Sequence, residues 1–115
     1  MPTVESPQEA IKHSISTEFS RTPGPRFAKE GSFSGEEFRN LFLSKWFEEA
    51  TAAGVKLAID FDGVYGYAPS FIEEAFGGLA RIHGSDAVQQ ILELNSSEDP
   101  YIVERVRGVV AKANA

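Results

Sequence analysis

The sequence predicts an α/β domain, a mixed and mostly parallel sheet of about four strands with helices packed on it. Three observations carry this. Short apolar stretches of strand character alternate with amphipathic stretches at helical spacing. The elements follow one another as β, loop, α, β, α, β, α, an order that implies parallel strands joined by helical crossovers. Residues 57–81, LAIDFDGVYGYAPSFIEEAFGGLAR, pass from an apolar strand through an aromatic, Gly-rich loop into a helix. Open α/β sheets present functional groups at such strand ends.

Residues 1–9 are polar with two prolines and are expected to form a flexible leader to a single domain over 10–115. Between Ala10 and Phe19 the pattern partly alternates. Ile11, His13, Ile15, Thr17 and Phe19 would share one face of a strand. Thr22-Pro23-Gly24-Pro25 breaks it, and Arg26 to Ser32 reads as a loop or short irregular strand. Ser34-Gly35-Glu36-Glu37 is a capping box. The helix after it runs to about Ala53, stopped by Gly54, with Phe38, Leu41, Phe42, Trp46, Ala50 and Ala53 as its inner face and Leu43 and Phe47 widening it.

Val55 to Phe61 is a strand apolar enough for a sheet covered on both faces. Ser70-Phe71-Ile72-Glu73 reads as a second capping box, opening a helix that buries Ile72, Ala75, Phe76 and Leu79 and ends near Gly84. Gln89 to Leu94 reads as the third strand. Asp99 caps a last helix with Pro100 at its first position, striped by Ile102, Val103, Val106, Val109, Val110 and Ala113.

The bulk properties exclude several functions. In 115 residues the net charge is −6, which argues against a nucleic-acid binder and against an anionic membrane surface. A basic protein partner or simple solubility fits this charge. There is no cysteine, so disulfides, thiolate chemistry and Cys-based zinc sites are out. No apolar run approaches the roughly 20 residues that span a bilayer. A cytoplasmic protein is the expectation.

Asp60-Phe61-Asp62-Gly63-Val64 resembles the first motif of haloacid-dehalogenase-type phosphatases, in which a carboxylate pair works beside magnesium. A magnesium-dependent phosphohydrolase using Asp60 and Asp62 is therefore one reading. Such an enzyme also needs a lysine from a separate strand end, and after Asp62 the only lysine is Lys112, in the last helix. In the competing reading the two aspartates bond backbone groups of the turn. Arg26 and Lys29, in a Gly- and Ser-containing loop before the first long helix, are candidates for anion or nucleotide binding at a helix start. His13 and His83 have no third partner in view, so no metal site and no cofactor are expected. Tyr65 and Tyr67 flank Gly66 on the loop after the strand, where they serve either a protein contact or packing. Ser70 reads as a helix N-cap, and a phosphate there would lie at the positive end of the helix dipole.

PGPRFAKEGSFSGEEFR and KLAIDFDGVYGYAPSFIEEAFGGLAR together resemble the bacterial STAS-like domain family of unknown function, over about residues 20–113. That family is distantly related to the STAS domains of anti-sigma factor antagonists and sulfate transporters. The resemblance implies a STAS-like fold. In the antagonists a motif of Asp-Ser-Ser-Gly-Leu type precedes this helix, and its second Ser is phosphorylated by a kinase that is also an anti-sigma factor. The motif falls here on Ala68-Pro69-Ser70-Phe71-Ile72. Ser70 takes the phosphorylatable position, while Ala68, Pro69 and Phe71 replace the Asp, the first Ser and the Gly. The function so implied is a non-catalytic regulatory or adaptor domain that binds a protein, in the manner of a partner-switching component. Tyr65, Tyr67, Ser70, Phe71 and Glu74 are the candidate contact surface.

Overall fold

Ser14 turns the chain out of the first strand. The computed structural model describes residues 10–113. In it β1 is Ile11–Ser14, and Ile15–Glu18 follows at once as a single helical turn, α1. Ser14 caps that turn by accepting from the backbone N–H of Thr17, and Glu18 reaches back to accept from the N–H of Ser14. The alternation expected through Phe19 therefore stops at Ser14, because these local polar bonds favour a turn over a longer strand.

The segment before the long helix contains one short 3-10 turn, Ala28–Glu30, and no strand near Arg26. Helix α2, residues 35–53, begins at Gly35–Phe38, widens into a π turn over Arg39–Leu43 and resumes over Ser44–Ala53. Ser34 caps it by accepting from Glu37 N–H, while the Glu37 carboxylate accepts from the N–H of Phe33. Gly54, at φ 71°, ends it in the left-handed region that glycine adopts without strain. The inner face differs from the expected stripe at two points. Leu41 and Ala53 are exposed, while Leu43, expected only to widen the face, is fully buried. A π turn inserts one residue and rotates the stripe, so Leu43 takes the inward place.

Strand β2, Leu57–Asp60, leads to helix α3, residues 69–83, which carries its own π turn over Glu73–Gly77. Its cap position is Ala68, with Pro69 at the first helical residue. Ser70 is therefore one residue inside the helix and does not cap it. Proline's fixed φ and missing N–H suit that first position. Gly84, at φ 97°, separates α3 from a further helix, α4, Ser85–Ile91. Strand β3 is Leu92–Asn95, so the first half of the stretch expected as a strand from Gln89 is helical. Helix α5, Pro100–Lys112, is capped by Asp99, whose carboxylate accepts from Tyr101 N–H.

Among the described residues the sheet has three strands rather than about four, in the order β1-β2-β3, and every pairing is parallel. Ile11 aligns with Leu57 and Leu57 with Leu92; Ser14 aligns with Asp60 and Asp60 with Asn95. Side chains alternate across the sheet. Leu57, Ile59, Leu92 and Leu94 face the core, where Phe38, Phe71, Phe76 and Leu79 are fully buried. Lys12, Asp60, Glu93 and Asn95 are exposed on the other side, so the helices cover one face only. That corrects the expectation of cover on both faces.

Candidate functional site

The ends of β2 and β3 are bound together by one carboxylate. Asp62 Oδ1 accepts from the Ser96 hydroxyl (3.1 Å) and Glu98 N–H (2.9 Å), and Oδ2 from Ser97 N–H (3.0 Å) and the Ser97 hydroxyl (2.7 Å). Four donors on an anion hold the charged form. The Glu98 and Ser97 bonds, with Ser96 adding, bring the Asp62 carboxyl from an ordinary 3.8 down to about 2. Asp60 turns its Oδ1 onto Asp62 N–H at 2.9 Å. Both oxygens of Asp62 and Oδ1 of Asp60 are thus spent on backbone and hydroxyl donors of the turn and the β3 loop. No cluster of three or more His, Asp or Glu side chains among the described residues could hold a metal ion.

The same turn is tied from its other side. Gly63 N–H donates to Glu98 Oε1 (2.9 Å), and Arg21 Nε donates to Gly63 O (3.2 Å). Tyr65 N–H donates to Arg21 O at 2.9 Å. Gly63, at φ 85°, supplies the left-handed residue, and a Cβ there would press on Ser16. The outcome is a loop fixed at Asp62, Gly63 and Tyr65 that projects an aromatic ring. Tyr65 is 83% exposed, the most open of the large apolar side chains, with the Arg21 guanidinium 5.8 Å from its centroid.

Tyr67 does not join it. Its ring is half-buried against Phe61 and Phe71, and its hydroxyl donates to Phe61 O at 2.9 Å. Burial first, then the charges of Asp60, Asp62 and Glu98, raise its pKa well above that of an ordinary phenol. Phe71 is fully buried and leaves the candidate surface altogether. Ser70 is partly exposed at the start of α3. Glu74 is only 12% exposed in its side chain and belongs to an ion-pair chain instead.

That chain also takes up Arg26. Arg39 pairs with Glu74, Glu74 with Arg26, Arg26 with Glu73, and Glu73 with Arg81. The bonds from Arg81 and then Arg26 lower the Glu73 pKa, and the Glu73 bond raises that of Arg26. Lys29 remains exposed, apart from Arg26's partners. The N–H groups at the start of α2 are already filled: Gly35 donates to Pro25 O, Glu36 to Arg26 O and Glu37 to Ser34 Oγ. Protein oxygens thus occupy Arg26 and the helix start, and of the two expected anion-binding residues Lys29 alone stands outside these bonds.

What residue reading missed is the Ser96-Ser97-Glu98 loop. Its Ser-Ser-Glu-Asp composition, directly after a strand, carries a turn signal, but nothing in the sequence shows that its donors converge on Asp62.

Two further openings lie nearby. The uncovered sheet face forms an open depression of about 610 Å³ at Lys12, Ser14, Asp60, Glu93 and Asn95. A smaller one of about 240 Å³ lies between the Tyr65 loop and the start of α5. No described helix is long and apolar enough to cross a membrane.

No curated protein and no solved structure matches the chain. Residues 34–101 match the family described as a STAS-like domain of unknown function (DUF4325). The match runs from the Ser34 cap through both π-containing helices and β3 to the start of α5, which is most of the fold described above. The chain belongs to this family of STAS-like domains.

Proposed function

We propose that the domain acts without catalysis, as a regulatory or adaptor module that docks on a protein partner in the cytoplasm, in the manner of a partner-switching component. The observation that supports this best is Tyr65. A large aromatic ring left 83% exposed removes little apolar area from water in the folded chain. Here it stands on a turn held by hydrogen bonds from two directions, so little ordering cost remains to be met on binding. Exposed tyrosines on fixed loops are common anchors of interfaces. The phosphohydrolase reading is weaker, because both oxygens of Asp62 already accept hydrogen bonds from the β3 loop.

The test is capture from a lysate of the source organism by immobilised wild type, Tyr65→Glu and Ile82→Glu. Ile82 is also exposed, at 63%, but lies on α3. All three proteins are expected to fold, with a captured species lost only from Tyr65→Glu. Equal capture by Tyr65→Glu would move the docking surface elsewhere. Magnesium-dependent phosphoester turnover that disappears in Asp60→Asn would overturn the non-catalytic reading.

A further inference from the structure

The cavity of about 240 Å³ beside Tyr65 has a particular chemistry. Ligand pockets for drug-sized molecules begin at about 300 Å³, so this one suits a single side chain. Tyr65, Gly66 and Tyr67 line one part of it, and Glu98, Asp99 and Ile102 another. None of the described residues lining it is basic. Each carboxylate has one oxygen bound internally, Glu98 Oε1 by Gly63 N–H and Asp99 Oδ1 by Tyr101 N–H. No described donor is bonded to the second oxygen of either. Tyr101, adjoining Ile102 in the chain, is 75% exposed and extends the aromatic surface.

Aromatic rings beside carboxylates, with no resident cation, form an environment for a positively charged side chain. A tyrosine face attracts a cation through its quadrupole, and a planar guanidinium stacks on it. Arg21 already places its guanidinium 5.8 Å from the Tyr65 centroid, yet Arg21 does not line the cavity. The ring thus serves as a cation acceptor in the folded chain, and the cavity side carries no such partner. The net charge of −6 adds a long-range attraction for a basic segment.

The geometry points to this cavity as the receptor for one arginine or lysine side chain on a basic segment of the partner protein, held by the tyrosine rings and the Glu98 and Asp99 carboxylates. The inference rests on the docking reading above and adds the chemistry of what is docked.

The probe is N-acetyl-arginine methylamide, titrated at 150 mM salt and followed by amide chemical shifts, with N-acetyl-norleucine methylamide as the apolar comparison. Two substitutions remove charge while keeping the internal bonds. Glu98→Gln retains an oxygen for Gly63 N–H, and Asp99→Asn retains a strong helix cap. Shifts confined to residues 61–67 and 96–102, given by the arginine probe only, are expected. Binding should be about tenfold weaker in the double variant Glu98→Gln/Asp99→Asn and unchanged in Glu104→Gln, an exposed acid farther along α5. Equal binding of the norleucine probe, shifts spread over the acidic surface, or an unaffected double variant would overturn the inference. A silent arginine probe together with capture that still depends on Tyr65 would overturn this inference alone. Capture independent of Tyr65 would overturn the docking reading beneath it.

Discussion

Arg39 and Glu74 meet where the two π turns face each other. One guanidinium nitrogen of Arg39 donates to both the side-chain Oε2 and the backbone O of Glu74, each at 2.7 Å, and both side chains are 12% exposed. One residue comes from the π turn of α2 and the other from that of α3. The Glu74 carbonyl also accepts from Gly78 N–H, so the bond from Arg39 uses its second lone pair. The pair therefore links the two long helices through main chain as well as charge.

Breaking this pair on one side should be costly. Glu74→Met leaves a nearly buried guanidinium with half its partners, and losses of about 3 kcal/mol are typical of that situation. The double variant Arg39→Met/Glu74→Met removes both charges and should recover part of that loss. Urea unfolding of the two singles and the double completes the cycle. Strict additivity would show that the residues do not interact.

Ser34 and Ser70 should part company. Ser34 is fully buried and accepts from Glu37 N–H at 2.9 Å, so Ser34→Ala should cost about 1 kcal/mol or more. Ser70 makes no cap, since Ala68 holds that place, and Ser70→Ala should stay within about 0.5 kcal/mol of wild type. Thermal midpoints decide it. A large loss at Ser70 would contradict the helix start at Pro69.

Two glycines in helices should respond oppositely to alanine. Nothing stands within 4 Å of a Cβ at Gly108, so Gly108→Ala should stabilise α5 by up to about 1 kcal/mol. At Gly35 the new Cβ would lie 2.7 Å from the backbone O of Phe71, and Gly35→Ala should destabilise by about 1–3 kcal/mol as α2 is pushed off α3. Denaturant midpoints measured side by side test the sign as well as the size.

The Asp62 clamp should be lost in acid. Its folded pKa lies below the unfolded value, so its contribution is complete above about pH 4 and disappears as pH falls through about 2. Wild type should exceed Asp62→Asn in stability at pH 7, and the gap should close between pH 4 and pH 2. A gap that stays constant over that window would show that the charge of Asp62 does not hold the loop.

The helix starts at Ser34 and Asp99, the strand before Asp60 and the apolar stripe of α5 were legible in the sequence because each rests on neighbours within one turn. So was the fold class, which depends only on the order of elements. The length of β1 was not, since alternation through Phe19 is outweighed by the bonds between Ser14 and Glu18. Helix α4 was hidden because it is short and buries only Val88 fully. At the strand ends, the sequence marked out Tyr65 and the two aspartates. It could not tell Tyr65 from Tyr67, whose burial is decided by Phe61 and Phe71. It also gave no sign that Arg26 pairs with Glu73 and Arg39 with Glu74, because each pairing spans two elements distant in the chain.

The sheet register carries a kinetic consequence. Both pairings are parallel, so each joins strands separated by at least one complete helix, and no hairpin can start the sheet. A chain emerging in order has nothing for β1 to pair with until α2 has folded back and delivered β2. β3 waits in turn for α3 and α4. Folding dominated by such distant contacts is slow for a domain of this size. The Phe38–Phe71 ring contact, 5.8 Å between centroids, requires no strand. We expect helix docking through that contact to precede strand pairing, with the Asp62 loop closing last.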